Sequence, residues 1–161
     1  MNLGESLLSI GAIVLLSILI LGTNNTIIST GNSLNESKFD ILATSIGTSI
    51  IEEASNKAFD ENTIDTTASS TTELTVKLGP EGETRHYFDD FDDYNGCTGS
   101  DSTMPSAIFN YSCKVEYVTS GNPDKVSNPR TWDKKLTVYI TSKSMTDTIK
   151  LSTIFSYWYF R

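Results

Sequence analysis

Between Leu3 and Gly22 run twenty residues whose only charge is Glu5, and no other Asp, Glu, Lys or Arg occurs in the first 35 positions. As a helix this run spans roughly 30 Å, the thickness of a bilayer's hydrocarbon core, so it must end buried in lipid or in protein. A carboxylate inside such a segment costs about 3 kcal/mol unless a cation compensates it. The nearest cation in sequence is the α-amine of Met1, which the same helix would hold near its own Glu5 in poor geometry. The Met1 amine of a neighbouring copy is the better partner for Glu5. Membrane residence and self-association are thus expected together. No Lys or Arg precedes the apolar run, and Leu19–Asn25 offers no small-x-small cleavage site, so the segment reads as a retained anchor rather than a secretory signal.

After this segment about 135 residues remain, enough for one head domain with its own core. Of the 20 acids only Glu5 lies in the apolar run; the other 19 face 12 bases, with no basic cluster anywhere. Nucleic acid is therefore not an expected partner, since phosphate binding needs clustered Lys and Arg. An enzyme is not expected either. The single histidine, His86, has no nucleophile in a plausible relation to it, and no Gly-rich phosphate loop follows a strand.

From Lys38 a helical period emerges: Phe39, Leu42, Ala43, Ile46, Ile50, Ala54 and Ala58 recur every three or four residues between polar ones. This predicts one long helix over 1–58, whose residues 1–22 are the apolar segment. Residues 23–37 are weakened, because Gly22, Gly31 and four asparagines hold helix poorly. The head, 59–161, turns to period two. Strands are expected at Leu74–Leu78, Phe109–Val118, Lys135–Thr141 and Thr148–Phe160, giving an α+β fold with the amphipathic half-helix on an antiparallel sheet of about four strands.

Two features of the head carry chemistry. Cys97 and Cys113 have neither a CxxC motif nor a nearby histidine, so in an oxidising compartment they read as a disulfide worth about 3 kcal/mol in the chain-entropy model. In the run Asp89-Asp90-Phe91-Asp92-Asp93-Tyr94-Asn95-Gly96, four carboxylates lie within five residues. Asp89, Asp90, Asp92 and Asp93 are hard oxygen ligands of the kind calcium takes, although the spacing is not that of an EF-hand. The alternative is an acidic turn pinned by Phe91 and Tyr94.

Taken together, Glu5 at the fifth position of an apolar helix and the order helix, loop, antiparallel sheet resemble the type IV pilin and pseudopilin superfamily. The stretch His86-Tyr-Phe-Asp-Asp-Phe-Asp-Asp-Tyr-Asn-Gly96 is similar to segments of bacterial pilin-like heads. Position 22 departs from many such pilins, with Gly in place of Pro. The resemblance implies a subunit that a prepilin peptidase processes to expose a methylated Met1. That subunit waits in the inner membrane and is polymerised by a membrane assembly machinery into an extracellular homopolymer, Glu5 pairing with the Met1 of an adjacent subunit. It implies a major pilus subunit, with a minor pseudopilin of a pilus or type II secretion system as the alternative within the family. A monomeric membrane-anchored adhesion module is the alternative outside it.

Overall fold

The computed structural model describes residues 2–104 and 106–158. One helix, α1 (Leu3–Ser55), precedes five strands: β1 (Thr98–Asp101), β2 (Phe109–Thr119), β3 (Asn122–Val126), β4 (Asp133–Ser142) and β5 (Ile149–Ser156). The fold is α+β, as expected. The chain divides into two compact units, Met1–Lys38 and Phe39–Arg161, so the head unit begins inside α1 rather than after it.

The first unit is helical throughout its described residues, from Leu3 onward. The expected weakening after Gly22 is not seen. Weak helix formers cost only tenths of a kcal/mol each, and an established helix carries such residues cooperatively. The Thr23 and Thr26 hydroxyls donate to the carbonyls of Ile20 and Gly22, both at 3.0 Å, so their polar groups follow the helix instead of competing with it.

In the head unit, β2 pairs antiparallel with β4 from Phe109↔Ser142 to Val118↔Asp133, and β4 pairs with β5 from Asp133↔Ser156 to Ile140↔Ile149. Along its other edge β2 carries β1 at its start and β3 at its end. One face of this sheet supplies Phe109, Cys113, Val115, Tyr117, Leu136, Val138, Ile140 and Phe155 to the core, and α1 supplies Ala43, Ile46, Ile50 and Ala54. Helix and sheet are in close contact at Gly47. A Cβ there would stand 2.7 Å from Leu151 Cδ1 and 2.8 Å from Ile140 Cδ1.

The expected strand at Leu74–Leu78 does not form. Leu74 is buried but Val76, which a strand would place on the same face, is exposed, and side chains take the backbone groups that a neighbouring strand would use. Thr75 N–H donates to both Asp60 carboxylate oxygens (3.0 Å each), and the Leu74, Thr75 and Leu78 carbonyls accept from Arg130, Tyr117 and Asn95 (2.6, 2.8 and 3.0 Å). Strands β1 and β3 were not foreseen. β1 is the polar run Thr-Gly-Ser-Asp, and β3 contains Pro123, which an edge strand tolerates.

Candidate functional site

In the first unit the apolar side chains from Leu3 to Leu21 are each more than half exposed, on every side of the helix. The three serines among them do not interrupt this surface. Ser6, Ser9 and Ser17 donate to the carbonyls of Leu3, Glu5 and Ile13 at 3.3, 2.9 and 2.8 Å, so each hydroxyl is satisfied within its own helix. By length and composition, α1 holds a segment able to cross a membrane. Glu5 lies in the first turn and is exposed; its Oε2 accepts the Asn2 N–H at 3.3 Å, a placement that the positive end of the helix dipole favours. Met1, the other expected assembly residue, lies outside the described residues.

The second constellation lies inside the head. The alternation that puts Leu136, Val138 and Ile140 on the core face of β4 also puts Lys134 there, and its side chain is 0 % exposed. An ammonium has three protons to place. Lys134 Nζ donates to the Phe59 carbonyl (2.7 Å), to Asp60 Oδ2 (2.8 Å) and to Asp92 Oδ1, and lies 4.6 Å from the centre of the Phe59 ring. Three segments far apart in sequence thus converge on one buried cation: the end of the helical region, the acidic loop and the central strand.

The two carboxylates on Lys134 respond oppositely. Burial pushes the Asp60 carboxyl up, but the Lys134 charge and hydrogen bonds from Lys134, Thr75 and Asn62 hold it below its ordinary value. Tyr117 Oη adds a further donor at 3.2 Å. Asp92 has fewer donors. Burial outweighs the attraction of Lys134 there, and its carboxyl is raised. Its neighbour Asp90 is raised to about 8, by burial first and by the Asp92 charge second. The Oδ2 of Asp90 and that of Asp92 are buried with no hydrogen-bond partner among the described residues. Two buried carboxyls this near each other disfavour ionising together.

Phe91 and Tyr94 are fully buried and anchor the acidic run, but the run is no solvated turn, because Asp90, Asp92 and Asp93 are buried with them. Asp93 N–H donates to Asp90 Oδ1 (3.0 Å), while Asp93 Oδ2 accepts the N–H groups of Asp89 (3.0 Å) and Asp90 (3.2 Å). The backbone here also bonds to the residues just after α1: Ala58 N–H donates to the Asp89 carbonyl, and Phe91 N–H to that of Ala58. The four aspartates therefore do not act as one set. Asp92 turns to Lys134, Asp90 to Asp93, and the group that converges is Glu83, Asp89 and Asp93, each offering an oxygen within 4.8 Å of the others. Glu83 escaped the sequence reading because it precedes the acidic run by six residues, across a turn.

The expected disulfide is not present: Cys97 and Cys113 are separate thiols. They are close all the same, since the Cys113 N–H donates to the Cys97 carbonyl at 2.8 Å just before the β1–β2 ladder begins. Burial raises both thiols. Cys113, further raised by the neighbouring Cys97, reaches about 12, so the surroundings favour the protonated thiol over the thiolate at both positions. Above them Arg85 pairs with Glu53 of α1 at 2.6 Å, and Tyr94 Oη donates to the same carboxylate at 2.8 Å. The Arg85 guanidinium also hydrogen-bonds the Tyr111 hydroxyl and lies 5.1 Å from the centre of its ring.

Comparison with protein-family models, with curated proteins and with solved structures gives no match to this chain.

Proposed function

We propose that this chain is the major structural subunit of an extracellular, type IV pilus-like helical filament, held in the inner membrane by its apolar helix until it assembles. The observation that carries this reading is the surface of α1 from Leu3 to Leu21, apolar on every side, with self-satisfied serines and one carboxylate in its first turn. A plain anchor has no use for that carboxylate. A helix that must leave lipid and dock against identical helices does, because an amine on the neighbour can neutralise it at the moment of transfer. In such a filament the segment passes from a lipid surrounding to a protein one, and the head unit forms the outer surface.

Shearing cells and imaging the released material by electron microscopy tests this. Fibres in which mass spectrometry finds this chain as the repeating component support the reading. Fibres that contain it only in traces favour a minor pseudopilin. A chain that stays in the membrane fraction as a monomer overturns the filament assignment.

A further inference from the structure

We propose that Glu83, Asp89 and Asp93 form a calcium site on the head. Two observations meet there. The three carboxylates place one oxygen each within 4.8 Å of one another, and Asp93, only 1 % exposed, has an Oδ1 with no hydrogen-bond partner. The other Asp93 oxygen is fully occupied by the Asp89 and Asp90 N–H groups, which fixes the side chain beside the two exposed acids. None of the three forms an ion pair with a Lys or Arg among the described residues. Lys134, the buried cation of this region, is committed to Asp60 and Asp92.

Three carboxylates close together without a counter-charge repel one another, and a small hard cation converts that repulsion into attraction. The chemistry of the donors narrows the choice. Zinc prefers His and Cys, which this cluster lacks. Magnesium demands near-ideal octahedral geometry, whereas calcium accepts six to eight oxygens in loose arrangement and completes its shell with water on an exposed rim. A site with two exposed ligands and one buried one fits the weaker extracellular class, with Kd on the order of 10⁻⁴–10⁻³ M.

The test uses the full chain in detergent micelles, stripped with EDTA and titrated with CaCl2 by calorimetry, with thermal unfolding of the head followed in parallel. Glu83→Gln and Asp89→Asn are the informative variants, because both side chains are exposed; Asp93 is left intact, since it holds the turn. The expected result is one saturable site and a Tm that rises with CaCl2, with binding weakened about tenfold or more in either variant, as loss of ligand charge dictates. Asp124→Asn, at an exposed aspartate paired with Lys135, leaves binding unchanged. The proposal is overturned by a Tm identical in EDTA and millimolar CaCl2, by binding that neither variant weakens, or by a stabilisation that NaCl of equal ionic strength reproduces.

Discussion

Lys134 is the residue on which the head turns. Its three protons have three acceptors, and two of these are carboxylates that form no ion pair with another cation among the described residues. Removing one partner of such a buried pair leaves the other uncompensated, so Lys134→Met is expected to destabilise the head by about 3–5 kcal/mol, measured by urea unfolding. Asp90→Asn is expected to cost less than about 1 kcal/mol, because burial and the Asp92 charge already disfavour the ionised Asp90 carboxyl and an amide oxygen can still accept the Asp93 N–H. Equal losses from both substitutions would show that the Asp90 charge matters to the fold as much as that of Lys134. Asp60 gives the pH dependence. Its carboxyl, facing Lys134, Asp92 and Tyr117, is lower in the folded head than its ordinary 3.8, so the unfolded chain binds the proton more tightly. Its contribution is complete above that ordinary value and disappears as the pH falls through the lower, folded one. The slope of stability against pH below 4 should therefore be shallower in Asp60→Asn than in the wild type, whereas the raised carboxyls of Asp90 and Asp92 act in the opposite sense in both proteins.

At the scale of elements, the close approach of α1 to the sheet depends on Gly47. Gly47→Ala is expected to be nearly neutral, since the helix gains from alanine while two flexible methyl ends give way. Gly47→Leu must push α1 off β4 and β5, and should cost about 1–3 kcal/mol by thermal unfolding. What the sequence shows of these elements follows from periodicity. The α1 stripe and the alternation of Leu136, Val138 and Ile140 were legible because apolar spacing directly reports a buried face. Lys134 was hidden by the same logic: it continues the alternation by one step, but a lysine signals surface until its partners are known. The Leu74–Leu78 run misled for the converse reason: its apolar alternation in sequence buries only Leu74 fully, and Asp60, Tyr117, Asn95 and Arg130 take the hydrogen bonds that a strand partner would. β1 was illegible because it buries little; pairing with β2 makes it a strand, helped by the Tyr111 ring lying across Gly99. In the acidic run the residues of interest were legible, but their division between a buried lysine and an outer cluster is a tertiary fact.

At the scale of the whole molecule, the two units have different requirements. The first presents an apolar surface from Leu3 to Leu21 whose one charge is Glu5, and the second folds around its own core. Glu5→Ala is accordingly expected to leave the head fully folded, with unchanged near-UV circular dichroism and Tm, and the chain still in the membrane fraction. Sheared filaments should nevertheless fall to a small fraction of wild type. Wild-type filament yield from this variant would show that Glu5 has no part in docking, and an altered head would show that its role is not confined to assembly.

The meeting of Phe59, Asp60, Asp92 and Lys134 has a kinetic side. These groups come from segments far apart in sequence, and Lys134 or either carboxylate buried before a partner arrives would leave a naked charge in an apolar interior. Half-built heads are therefore poor resting places: the chain gains little until all three segments arrive, and then gains everything at once. Folding should pass through a single barrier, with loss of secondary structure and of aromatic packing superimposing in denaturant. Such an all-or-none step leaves few intermediates with sticky strand edges exposed to their neighbours.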